Sequence, residues 1–106
     1  MNNQQLLRRF DSFPADLEVE VVDCIGDIEY PCAVRSDDET VTIDTVPAAV
    51  AALEQPGLMP YKLYQLRAHL SQIDKPFHAV YVSTYNGNTT PLGAVEASQE
   101  KVSLWA

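Results

Sequence analysis

The feature that most limits what this chain can fold into is a strand–turn–strand passage that occurs twice. YPCAVRSDDETVTID at residues 30–44 returns as PLGAVEASQEKVSLW at residues 91–105. Ala33 falls on Ala94, Val34 on Val95, Glu39 on Glu100 and Val41 on Val102. The correspondence extends upstream. Leu6, Phe10 and Phe13 fall on Leu66, Leu70 and Ile73, a spacing of four then three that places apolar side chains on one helical face. Leu17, Val19 and Val21 fall on Phe77, Ala79 and Tyr81, the period-two pattern of a strand. Gly26-Asp27 falls on Asn86-Gly87, a hairpin signal.

The pattern predicts an α+β fold built as a tandem duplication of helix–strand–strand–strand. Its antiparallel sheet or sheets would carry the helices on one face. The copies span residues 3–45 and 62–105 of a single domain, residues 1–106, joined by a short helix and a proline-rich connector over 46–61. Val80 and Val82 break the correspondence, because they face away from Phe77, Ala79 and Tyr81; a strand buried on both sides would accommodate both sets.

The elements can be placed from their punctuation. Asn2 or Asn3 caps a helix over 3–13, and Pro14 closes it. Strands are expected at 17–23, 29–35 and 40–44, with Leu17, Val19 and Val21 inward and Glu18 and Glu20 in water. A turn at Gly26-Asp27 sets Glu20 opposite Ala33 and Glu18 opposite Arg35, so Arg35 is expected beside Glu18. A short helix over 47–55 points Val46, Val50 and Leu53 inward. A second helix over 61–73 and strands at 77–85, 89–97 and 101–105 complete the chain. Trp105 is core, a lid over the sheet edge, or an anchor for a partner; packing within the chain is the default.

The net charge is −8, and its distribution says more than its sum. Ten acids and one base, Arg35, lie between Asp16 and Asp44, so that stretch carries −9 while the remainder carries +1. A chain this acidic lacks the basic patch that phosphate binding requires, so no direct nucleic-acid partner is expected. The apolar runs fall well short of the ~20 residues of a membrane span. The start MNNQQ lacks the regions of a signal peptide, which points to a cytoplasmic protein without a membrane partner.

The usual catalytic patterns do not occur. The four glycines are scattered, so there is no phosphate loop. Cys24 and Cys32 form no CxxC, and no zinc set accompanies them. The hairpin register keeps the two from pairing as a disulfide. A Cys24–His78 pair has no third group to orient it. Asp23, Asp27 and Glu29 depart from the spacing of a Ca²⁺ loop. The sequence therefore predicts no enzyme, no metal and no cofactor.

After its Leu/Phe helix, FPADLEVEV at residues 13–21 resembles small acidic proteins of phages and plasmids, in which a short helix ends in Leu-Pro or Phe-Pro before a valine-rich strand. The resemblance covers about the first 25 residues. It implies a mobile-element accessory protein, and by analogy an inhibitor that occupies the basic surface of a nucleic-acid enzyme. The residues themselves point the same way, to an acidic module that binds a basic protein surface through Glu18, Glu20, Asp23, Asp27, Asp37, Asp38, Glu39 and Trp105. The alternative is a self-associating structural protein, a homodimer joined at its edge strands.

Overall fold

Capping residues, prolines and two glycines decide where the elements of this chain begin and end. The computed structural model describes residues 1–54, 60–85 and 87–106. Residues 55–59 of the expected 46–61 join and the Asn86 half of the second hairpin signal lie outside the described residues. In order, the elements are α1 (Asn3–Phe10), β1 (Glu18–Val22), β2 (Ile28–Ser36), β3 (Thr40–Pro47), α2 (Ala48–Glu54), α3 (Leu63–Ser71), β4 (Ala79–Ser83), β5 (Thr89–Pro91), β6 (Ala94–Ala97) and β7 (Lys101–Trp105).

Asn2 caps α1 reciprocally: its side chain accepts from Gln5 N and its own N–H donates to Gln5 Oε1, both at 2.8 Å. At the start of α3 only one half of such a cap is made: Gln65 Oε1 accepts from Lys62 N at 2.8 Å. The inward stripes are Leu6 and Phe10 of α1, and Leu63, Leu66 and Leu70 of α3. They join Val19, Val21, Val41, Ile43, Val80, Val82, Val102 and Leu104 in one core cluster.

All seven strands belong to one mixed sheet, ordered β5-β4-β3-β2-β1-β7-β6. β1–β2, β2–β3, β4–β5 and β6–β7 are antiparallel. β3–β4 and β1–β7 are parallel. The sheet curls into a half-barrel. Its two edge strands are consecutive in the chain and separated only by Leu92 and Gly93, so Pro91 and Ala94 can stand no more than about 11 Å apart. The curl wraps the strands around the apolar faces of α1 and α3.

This architecture overturns the tandem helix–strand–strand–strand arrangement with antiparallel sheets. The sheet is single and mixed, it dominates the molecule, and the helices are few and short. Its two parallel seams join the first half of the chain to the second, so neither half stands as a separately folded unit. The expected strand over 89–97 is interrupted at Leu92–Gly93, which gives the second half four strands where three were expected.

Several local expectations also change. The β1–β2 connection is a turn over Asp23–Asp27, with Asp23 N donating to Asp27 O at 3.0 Å and Gly26 at φ +89°. The register is therefore Val21 opposite Glu29 and Val22 opposite Ile28. β2 pairs with β1 only at Ile28 and Glu29, and its pairing with β3 shifts register between Pro31 and Ala33. The free backbone of early β1 is taken by the segment before α3: Val19 N donates to Tyr61 O at 2.8 Å, and Leu63 N to Leu17 O at 2.7 Å. Arg35 consequently lies away from Glu18 and pairs with Asp44 at 3.0 Å. In β4 the inward pair is Val80 and Val82, while Phe77 lies ahead of the strand and is exposed. Val46 is buried as expected, but Leu53 is 84% exposed.

Candidate functional site

Strand direction divides the molecule into two ends. β1, β3, β4 and β7 run the same way, and β2, β5 and β6 run against them. The Asp23–Asp27 turn, α2, the turn after β4, Gly93 and Trp105 therefore gather where those four strands end. We call this the exit end. The Asp37–Glu39 turn, the residue 98–100 turn and the segments leading into β1 and β4 lie at the other, helical end.

The eight residues expected to bind a partner do not form one face. Glu18 begins β1 at the helical end, with Lys62 Nζ 3.7 Å away. Glu20 is not in water. It is buried on the outer face of β1, where Lys101 Nζ reaches it at 3.2 Å and Ser103 Oγ donates to it at 2.8 Å. Asp37 braces its own turn, accepting from Glu39 N (2.9 Å), Thr40 N (2.7 Å) and Thr40 Oγ1 (3.0 Å). Those bonds hold its carboxyl below the ordinary aspartate range. Asp38 and Glu39 are exposed beside it.

Asp23, Asp27 and Trp105 come together at the exit end. Asp23 Oδ1 accepts from Ile25 N (3.0 Å) and Asp27 N (2.9 Å), which fixes the turn. Asp27's own carboxylate takes no hydrogen bond from any described residue. Trp105 pairs with Val22, which pairs with Ile28, and Ala106 N donates to Val22 O at 3.0 Å. Two strand spacings, about 10 Å, therefore separate the Trp105 and Ile28 backbones.

Sequence reasoning missed three side chains here. Ile25 is 75% exposed at the tip of the acidic turn, Leu53 stands out from α2, and Tyr85 is 59% exposed after β4. With Trp105, four large apolar side chains share this end in solvent. Glu29 explains how Tyr85 reaches the others. It lies inward beside Val21, 4% exposed, and its Oε1 accepts from Thr45 Oγ1 at 2.7 Å and Tyr85 N at 3.0 Å. The Glu29 side chain thus draws the turn after β4 across the mouth of the half-barrel toward β2, two residues from Asp27. A local signal existed only for the turn itself, in Tyr85-Asn86-Gly87.

The basic residues are placed differently. Lys and Arg occur at 8, 9, 35, 62, 67, 75 and 101, and none lies in the segments that build the exit end. Four of them make ion pairs: Arg35 with Asp44, Lys62 with Glu18, Arg67 with Asp11 and Lys101 with Glu20. Arg9 Nη2 donates to Val95 O at 2.8 Å and occupies the open side of β6. With β5 only three residues long and β6 four, the sheet offers little edge to a second copy.

A cavity of about 300 Å³ lies between α1 and α3, lined by Phe10, Phe13, Leu63, Tyr64, Arg67 and Ser71 among others. Its cation is held by Asp11, and no His, Cys or carboxylate lines it. Cys24 is exposed at the exit end, whereas His78 precedes β4 at the helical end, so the two do not meet. Cys32 is partly buried, and its Sγ donates to Asp44 O at 3.4 Å. Burial first and the Asp44 charge second raise its thiol above the ordinary range. Both cysteines are free. Among the described residues no group of three or more His, Cys, Asp or Glu is gathered as metal ligands would be. No described helix is long and apolar enough to cross a membrane.

Fold and site together define a small mixed-sheet half-barrel with an acidic, apolar exit end. Comparison with known proteins finds no matching family model, no matching curated protein and no matching solved structure.

Proposed function

We propose that this protein is a binding module that engages a basic protein surface through its exit end. The observation that carries the reading is the company the four exposed apolar side chains keep. Ile25, Leu53, Tyr85 and Trp105 share one end with Asp23 and Asp27, and no Lys or Arg lies in its segments. Large apolar side chains grouped in solvent mark interaction sites, and an acidic rim selects cationic partners and speeds their approach. Glu18, Glu20 and Asp37 have internal partners, and Asp38 and Glu39 are exposed at the opposite end, so the reading rests on Asp23 and Asp27, the acids that share an end with these four apolar side chains, rather than on the full acidic stretch.

Trp105 is the chain's single tryptophan and reports on this end directly. Titration with an amphipathic Leu/Lys peptide should shift its emission saturably, and a Leu/Glu peptide of equal length should not. Asp23→Asn with Asp27→Lys should weaken the response and flatten its salt dependence. A flat titration with the basic peptide, or equal responses to both peptides, would remove the proposal.

A further inference from the structure

We infer that the cations this end reads are arginine guanidiniums, held between aromatic rings and the carboxylates of the Asp23–Asp27 turn. This rests on the exit end being the binding face, and it adds the side chain recognised there.

The backbones of two exposed aromatic residues are brought to the acidic turn, each by a different device. Trp105 arrives through the parallel pairing of β7 with β1, in register with Val22 at the base of the turn. Tyr85 arrives through its backbone bond to Glu29, two residues beyond Asp27. Trp105 also covers the outer face. Val22 and Trp105 are register partners on the side opposite the inward Val21 and Leu104, and Val22 is only 6% exposed although it points outward. Trp105 thus stands beside Val22 on that face and is 41% exposed.

No described Lys or Arg of this chain stacks on either ring; the stacked aromatic pair in the molecule is Tyr61 with His69, centroids 5.3 Å apart. A partner's cation meets no competitor at the exit end. A ring with a carboxylate beside it suits arginine better than lysine. The planar guanidinium can lie flat on the ring while its edge donates two parallel bonds to a carboxylate, and it sheds water more readily than an ammonium. Asp27 has both carboxylate oxygens available, and Asp23 has Oδ2. The same side chain stacks on bases and pairs with phosphates when a protein binds nucleic acid. An arginine-rich nucleic-acid-binding surface is therefore the partner chemistry this end fits.

Calorimetric titration of the whole chain with oligoarginine and oligolysine peptides of equal length tests this. Oligoarginine should bind about fivefold tighter or better, given the added ring contact. Trp105→Leu and Tyr85→Leu keep an apolar side chain but remove the ring. Each should lower the arginine-to-lysine ratio, and the double variant should bring it close to one, while Asp38→Lys leaves it unchanged. A ratio that survives both ring substitutions overturns the inference and leaves the broader reading of the exit end in place. If neither peptide binds, that broader reading falls and the inference with it. If the chain sediments as a dimer that buries Trp105 and excludes both peptides, a second copy occupies the face and the inference is likewise overturned. Should Trp105→Leu fail to fold, Tyr85→Leu alone must lower the ratio, since Tyr85 pairs through its backbone and its ring stands in solvent.

Discussion

The two ends of the half-barrel use the same residue types to different effect. At the helical end and along the strands leading from it, four carboxylates are occupied within the chain, while Asp38 and Glu39 stand exposed at a turn with no large apolar side chain in it. Glu18 meets Lys62, Asp11 meets Arg67, Glu20 meets Lys101 and Ser103, and Asp44 meets Arg35. At the exit end Glu29 is buried as a brace and Asp23 ties its turn, but the Asp27 carboxylate has no partner among the described residues and four apolar side chains stand in solvent at the same end. Charge counted along a chain therefore does not locate charge available to a partner. The stretch from Asp16 to Asp44 carries −9, yet the fold commits Glu18, Glu20, Glu29 and Asp44 internally and sets exposed acids beside the four exit-end apolar side chains only at the Asp23–Asp27 turn.

The largest expected effect comes from breaking the brace. Glu29→Ala leaves the Tyr85 N–H without its acceptor and the Thr45 hydroxyl with only the Ser83 carbonyl, 3.0 Å away, so denaturant unfolding should show a loss of about 1–3 kcal/mol. Hydrogen exchange at Tyr85 should rise with it, while exchange in α1 and α3 stays as before. Glu29→Gln keeps an acceptor oxygen in place and should recover most of the loss.

A second, smaller effect sharpens the contrast. Arg35→Ala removes an ion pair whose side chains are 56% and 30% exposed. Its cost should stay below about 1 kcal/mol in the same unfolding measurement, because exposed pairs are weak and screened. A larger loss would mean that the helical end is held by its charges rather than by Leu6, Phe10, Leu63, Leu66 and Leu70.

Asp37 supplies a pH signature. Its carboxyl is held below the usual 3.8 by bonds from Glu39 N, Thr40 N and the Thr40 hydroxyl. A carboxyl lowered on folding stabilises the folded state above its unfolded value and loses that contribution as pH falls through the folded one. The melting-temperature gap between the wild type and Asp37→Ala should therefore be widest near neutrality and narrow below pH 3.8. A gap constant with pH would contradict the bracing role. Lysine at this position removes the oxygen that accepts all three bonds, so a charge reversal there tests the turn as much as any surface.

The smallest effect is chemical. Cys24 is exposed and should be alkylated first by iodoacetamide, with Cys32 lagging and gaining ground as pH rises, since burial and Asp44 raise its thiol. Peptide mass spectrometry separates the two rates.

The helix faces were legible because spacing alone fixes them: Leu6, Phe10, Leu66 and Leu70 are inward, and Asn2 caps α1. Val19 and Val21 followed from alternation. Strand order was not legible. Nothing local encodes that β1 lies beside β7 or β3 beside β4, and those long-range seams replace a tandem arrangement with one sheet. In β4 two apolar sets alternate, and period two cannot choose between Phe77, Ala79 and Tyr81 on one side and Val80 and Val82 on the other. Glu20 looked like a solvent-facing acid because the residues that cover it, Lys101 and Ser103, come from the far end of the chain. Of the exit end, Asp23, Asp27 and Trp105 were anticipated. Ile25, Leu53 and Tyr85 were not, since their exposure follows from strand direction and from the Glu29 brace.

The central claim is that a cationic partner is received at the exit end and not at the helical end. Backbone amide chemical shifts, followed as oligoarginine is added to the isotope-labelled chain, test it most directly. The account predicts shifts confined to residues 23–29, Leu53, Tyr85 and residues 104–106, with Ser36–Thr40 and α1 unmoved. Shifts centred on the Asp37–Glu39 turn, or spread evenly over every acidic residue, would contradict it.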